Sequence, residues 1–256
     1  MNTSVAVVTG ASQGIGRATA IRLAKDFGGL VLVARNLQRL NETAAEVTKA
    51  GCKAVVLDAD LSLPAAADTV TSAALAEFGR IDALLNIAGA VPQVDLLKMT
   101  DEQWEAGMAL KLHGARRLTI RAWDALKASN GSVVFMSGNS ALFPKAGYAA
   151  VGTTNAAIVA LAKAFADQGL QDGVQVNSVL PGPVMTGRRR SYLEHWAPAH
   201  GMTLDEALLR FPKEAGIARY GEPEEIAELM AFVVSPAAKW MTGTVLRMDG
   251  GEVRSV

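Results

Sequence analysis

Three glycines set close together constrain this chain more than anything else in it. They lie in Thr9-Gly10-Ala11-Ser12-Gln13-Gly14-Ile15-Gly16, directly after an apolar run at residues 5–8 and directly before a helical pattern. A strand, a glycine-rich turn and a helix in that order form a cradle for phosphate. Gly10 permits the tight turn, Gly14 lets the backbone approach a pyrophosphate, and Gly16 lets the helix pack close to the strand. The helix N-terminus adds free N–H groups and a positive dipole end. Ser12, Gln13 and Ile15 sit between the glycines and are expected at the same ligand. The turn therefore implies a dinucleotide site.

The rest of the chain fits that reading. Apolar runs at 5–8, 30–34, 54–57, 82–88, 132–136, 174–180 and 244–248 are bounded by Gly, Asp or Asn. Continuous apolar runs suit strands buried on both faces of a parallel sheet. Helical patterns lie between them. Residues 14–27 place Ala18, Ile21, Ala24 and Phe27 on one face. A helix over 64–78 is expected to start behind Ser62 as its cap, with Pro64 in its first turn. Thr100 to Gln103 has the spacing of a capping box. The alanine-rich stretch 154–168 suits close packing, including against a second subunit, and 222–234 is a further helix. The pattern predicts an α/β doubly wound Rossmann fold, a seven-stranded parallel sheet with helices on both faces. With no repeat or linker, residues 1–256 read as one domain. Residues 187–218 are not strand-like and read as a lid or substrate loop.

Composition narrows the function classes. Lys+Arg and Asp+Glu both total 25, so no net charge favours nucleic acid or an anionic membrane. The run Arg188-Arg189-Arg190 reads as a solvated loop. Cys52 is the single cysteine, so it reads as a small buried hydrophobe or an inert thiol. No cluster has metal-ligand spacing. No secretory signal opens the chain and no apolar stretch reaches bilayer-spanning length, so a cytoplasmic protein is expected.

The turn Thr9-Gly10-x-x-x-Gly14-x-Gly16 resembles the cofactor turn of short-chain dehydrogenases/reductases, and the resemblance runs nearly end to end. Asp60-Leu61 resembles the family's adenine-contacting pair. Asn86-Ile87-Ala88-Gly89 resembles its Asn-Asn-Ala-Gly motif, with Ile87 replacing the second Asn. Pro181-Gly182-Pro183-Val184-x-Thr186 resembles its nicotinamide-side segment, and Met248-Asp249-Gly250-Gly251 its C-terminal ending. The resemblance implies cofactor contacts from these residues, and a homodimer or homotetramer.

The end of the second strand selects the cofactor. A site for NAD(H) places a carboxylate there for the ribose hydroxyls. Here the chain has Ala34 followed by Arg35. A guanidinium can pair with a 2′-phosphate that a carboxylate would repel. NADP(H) is therefore expected in preference to NAD(H).

The catalytic half of the resemblance fails. The family uses an Asn, a Ser, a Tyr and a Lys; aligned without gaps, these positions hold Lys111, Gly138, Val151 and Asn155. Val151 cannot carry a proton and Gly138 has no hydroxyl. Asn155 could hydrogen-bond a ribose hydroxyl but has no charge to lower a neighbour's pKa. Lys111 could supply that charge from the opposite helix. Tyr148, three residues before Val151, is an alternative proton donor. Ser140 reads as a loop hydroxyl. Two functions stay open: an NADP(H)-dependent oxidoreductase acting on a small carbonyl or alcohol through a non-standard site, and a non-catalytic dinucleotide-binding sensor or structural protein.

Overall fold

A computed structural model describes residues 3–255. Its centre is a seven-stranded parallel sheet in the order β3-β2-β1-β4-β5-β6-β7. The strands are β1 (Val5–Thr9), β2 (Gly29–Ala34), β3 (Lys53–Asp58), β4 (Ala83–Asn86), β5 (Ser132–Met136), β6 (Gln175–Pro181) and β7 (Val245–Met248). All seven expected runs are strands. β1, β2, β4, β5 and β6 are almost wholly buried, as continuous apolar runs require, whereas the edge strands β3 and β7 keep exposed residues.

Nine helices among the described residues connect them: α1 (Gly14–Leu23), α2 (Leu37–Lys49), α3 (Ala66–Phe78), α4 (Asp101–Met108), α5 (Ala115–Ser129), α6 (Ala149–Asp172), α7 (Gly187–Ala199), α8 (Leu204–Ala215) and α9 (Pro223–Val233). They form two layers, because side chains alternate along each strand. From β1, Val5 and Val7 pack into a core with Val70 of α3, Leu118 and Leu126 of α5 and Ile158 of α6. Ala6 and Val8 pack on the other face with Leu23 of α1, Leu40 of α2 and Met230 of α9. Cys52 is buried in that second core. α7 and α8 hold a smaller cluster of their own around Leu193, Ala197, Ala207 and Tyr220.

Several boundaries differ from the sequence reading. α1 stops at Leu23, four residues before Phe27, because the chain tightens there: the Lys25 amide turns back to the Arg22 carbonyl. Ser62 does not cap α3; its amide and hydroxyl both donate to Asp60, and the helix starts at Ala66. The Thr100–Gln103 capping box is present. α6 is longer than expected at 24 residues. With the turn before it, Ala146–Asp172 is long and apolar enough to cross a membrane by length and composition, yet Ile158, Ala162 and Ala166 bury one side of it in the core. Residues 187–218 fold into two helices. The Thr186 hydroxyl caps α7, and a Thr203–Glu206 capping box starts α8.

Candidate active site

The chain leaves β1 toward β2 and β3 and returns to β4 on the other side, so the carboxyl ends of β1 and β4 part. That switch point is where an open α/β sheet binds its ligand. A cleft of about 820 Å³ lies there, lined by the Gly10–Gly16 turn, the ends of β2 and β4, and the start of α7. Its size suits a drug-sized or dinucleotide ligand.

The glycines act as their positions demand. Gly10 and Gly14 have φ of +69° and +55°, where any other residue is strained. A Cβ on Gly16 would fall on the Gly10 carbonyl, so only glycine lets α1 begin this close to the turn. A Cβ on Gly14 would lie 3.2 Å from the Thr186 methyl, which brings the β6–α7 segment over the phosphate turn. The Thr9 hydroxyl accepts from the amides of Ile87 and Ala88 at 2.8 and 3.0 Å and donates to the Leu85 carbonyl at 3.2 Å. It ties Asn86-Ile87-Ala88-Gly89 to the turn. The cradle that a dinucleotide needs is thus open and held in shape.

Of the residues read from sequence, Gly10, Ser12, Gln13, Gly14, Ile15, Gly16, Arg35, Leu61, Ala88, Gly89 and Thr186 line the cleft. Arg35 and Arg39 lie on its rim, with Arg39 donating to the Gln13 side chain at 2.5 Å. Arg39 was not legible as a ligand residue, because its approach to Gln13 depends on how α2 docks. The Asp60 carboxylate is turned to Ser62 and lies 3.8 Å from Arg35. Asn86 donates to the Thr119 hydroxyl at 3.0 Å, and its Oδ1 is buried without a partner. Pro181 and Val184 are buried, and Gly182 packs on the backbone of Asp249, where a Cβ would be 2.6 Å away. These residues support the wall and do not line it.

Behind the Gly89 wall of the cleft lies an unusual polar group. Between α4 and α5 the helix widens into a π-turn at Ala109–Gly114, a distortion often found at functional sites. Lys111 projects from it past Gly89, where a Cβ would meet its side chain at 2.9 Å. Its ammonium donates to Asn155 Oδ1 of α6 at 2.5 Å and to the Ser137 carbonyl at 3.1 Å. The amide of Asn155 continues to the Ser140 hydroxyl at 2.9 Å. The Ser137 hydroxyl holds the Asn155 carbonyl at 2.8 Å. Both acceptors of Lys111 are neutral. Burial, with the nearby Arg188 charge adding to it, brings the ammonium down to about 8.

Gly138 completes the arrangement. A Cβ there would stand 2.7 Å from Asn155 Nδ2. Lys111, Gly138 and Asn155, read from sequence as separate departures, are one packed unit.

Tyr148 does not join it. Tyr148 is the residue before α6 and lies outside the helix, which begins at Ala149. It comes near Tyr192 of α7, whose phenol is raised first by burial and further by Tyr148, against an opposing effect of Arg189. The three arginines also differ from the solvated loop expected. Arg188 donates to the carbonyls of Gly89 and Val91 at 3.2 and 3.4 Å, spanning from α7 to the segment after β4. Arg189 lies over the rings of Tyr192 and Phe211, and Arg190 pairs with Glu194.

Comparison with known proteins agrees with this architecture. Residues 10–252 match the family model described as enoyl-(acyl carrier protein) reductase. The chain is 32% identical over 248 residues to the short-chain reductase protein NovJ of Streptomyces niveus, covering 97% of this chain and 93% of that protein. It is 32% identical over 256 residues to a 3-oxoacyl-[acyl-carrier-protein] reductase of Synechocystis, covering 99% and 98%. Among solved structures, L-sorbose reductase of Gluconobacter frateurii, complexed with NADPH and L-sorbose, superposes with a TM-score of 0.95 at 28% identity, covering 100% of this chain and 98% of that one. NAD+-bound xylitol dehydrogenase superposes at 0.90 and 25% identity, covering 98% and 99%. The chain belongs to the short-chain dehydrogenase/reductase family of oxidoreductases.

Proposed function

We propose that the chain is an NADP(H)-dependent oxidoreductase that interconverts a small carbonyl compound and its alcohol. The observation that carries this reading is the cleft itself, with its glycine cradle, two guanidiniums on its rim and, packed against its Gly89 wall, the partly buried ammonium-bearing side chain of Lys111. The free amides at the start of α1 suit the pyrophosphate. Arg35 and Arg39 suit the 2′-phosphate, and no carboxylate at position 34 competes with them. When bound, the nicotinamide supplies or accepts the hydride. Lys111 and Asn155, bonded to each other behind Gly89, would act on the reacting oxygen from the second layer of the site. The Lys111 charge, relayed through Asn155, stabilises negative charge on that oxygen, and water supplies the proton. The helices α7 and α8 act as the lid over the substrate.

A homodimer or homotetramer and a cytoplasmic location belong to the same reading. Phe232 of α9 and, on the edge strand β7, Val245 and Met248 expose apolar surface that a second subunit would cover.

A second reading is a non-catalytic NADP(H)-binding protein, favoured by Val151 and Gly138, which provide no proton. Oxidation of NADPH followed with a panel of ketones and aldehydes separates the two. Turnover supports the enzyme. Tight NADPH binding without turnover on any member supports the binder. No dinucleotide binding refutes both.

A further inference from the structure

The hydrogen-bond directions around Asn155 determine where one proton points. An ammonium donates and never accepts. The Asn155 atom that faces Lys111 at 2.5 Å is therefore its oxygen, which fixes the orientation of the amide. The other end of the amide, Nδ2, then faces Ser140 at 2.9 Å and donates to it. Ser140 Oγ accepts this bond, so its own proton is free to point away. Among the described residues that proton has no acceptor, and Ser140 is only partly buried. The missing side chain at Gly138 leaves the space that Asn155 fills.

We propose that Ser140 is a catalytic residue of this site, presenting its O–H to the carbonyl oxygen of the substrate. The proposal rests on the oxidoreductase reading above and deepens it. The ammonium of Lys111 polarises the Asn155 amide, which polarises the Ser140 hydroxyl and makes it a stronger donor. Lys111 and Asn155 act on the substrate oxygen through Ser140, as positioning residues in this step. The hydroxyl stabilises the oxygen as hydride arrives, and no covalent bond to Ser140 forms.

Two variants test this, with two readouts. The first readout is steady-state reduction of the best ketone of the panel. The second is binding of isobutyramide, an unreactive carbonyl analogue, to the protein–NADPH complex. Ser140→Ala should lower kcat by about 100-fold, as removal of one preorganised donor does, and leave NADPH affinity unchanged. It should weaken isobutyramide by about tenfold, the equivalent of one net hydrogen bond. Ser140→Thr, which keeps the hydroxyl, should restore both.

Asn155→Asp separates proton direction from structure. A carboxylate keeps the shape and pairs better with Lys111, but it offers Ser140 an acceptor in place of a donor and turns the hydroxyl proton inward. The variant should melt no lower than the parent and yet lose kcat as Ser140→Ala does. If Ser140→Ala leaves kcat and isobutyramide binding within about threefold of the parent, less than one hydrogen bond is worth, the inference falls and the oxidoreductase reading stands. If no ketone is reduced but isobutyramide binding depends on Ser140, the turnover reading falls and the catalytic role with it, and only a carbonyl-binding contact at Ser140 is left. If isobutyramide does not bind the parent complex, the inference falls.

Discussion

Replacing Lys111 by methionine removes one charge and keeps most of the stem. Burial and the nearby Arg188 bring the Lys111 ammonium from 10.5 to about 8, a bias of about 3 kcal/mol against the charged form. Lys111→Met relieves that bias. It also strips the donor from Asn155 Oδ1 and the Ser137 carbonyl, and leaving such acceptors unmet costs roughly 1–3 kcal/mol each. The two effects oppose each other near neutral pH, so the unfolding free energy there changes little.

Their pH dependence does not cancel. Below about 8 the folded and unfolded chains both hold the Lys111 proton. Between about 8 and 10.5 the unfolded chain holds it and the folded chain has released it, so rising pH favours the folded state. Over a range from about pH 7 to about pH 9.5 the parent should gain about 2 kcal/mol relative to Lys111→Met. Urea unfolding of both proteins at the two pH values measures this difference directly. A gap between parent and variant that stays constant with pH would refute the reasoning, because it would mean that the ammonium is not penalised by its surroundings. The same variant should lose carbonyl reduction, and turnover by the parent should decline as pH rises through about 8.

Other outcomes follow from the same geometry. Arg35→Ala should weaken NADPH by about tenfold or more, the loss of a charge-assisted contact, and barely affect NADH; an unchanged ratio of the two affinities would remove Arg35 from cofactor selection. Tyr148→Phe should keep turnover within about threefold, well short of the roughly 100-fold or greater loss expected of a general acid; abolished activity would make Tyr148 the acid. Gly16→Ala should destabilise the fold by several kcal/mol, since its Cβ would fall on the Gly10 carbonyl; a melting temperature equal to the parent's would contradict the close start of α1.

The fold was legible because its signals are local. Continuous apolar runs gave the strands, and three glycines in one turn marked the phosphate end. The dinucleotide end was legible for the same reason: Gly10 to Gly16 and Arg35 act through backbone shape and charge at fixed offsets from a strand. The other end was not. Lys111, Gly138, Ser140 and Asn155 come from the π-turn, the loop after β5 and α6, and what they do depends on a contact 44 residues apart in the chain. Read singly, Lys111 is a possible source of the missing charge and Asn155 a possible ribose contact, with nothing in the sequence to join them. In the fold they form one hydrogen-bonded unit, and Gly138 makes the room. Residues 187–218 read only as not strand-like, although the Thr203–Glu206 capping-box spacing is present in the sequence; they form α7 and α8, with Pro198 and Pro212 inside the two helices.

The central claim is that the cleft over Gly10–Gly16 binds a nicotinamide dinucleotide and prefers the phosphorylated form. Titration of the protein with NADPH and with NADH, followed by nicotinamide fluorescence, tests it most directly. Saturable binding of one NADPH per chain, tighter than NADH by about tenfold or more for the added phosphate contact, is the predicted result. No saturable binding of either cofactor would contradict it.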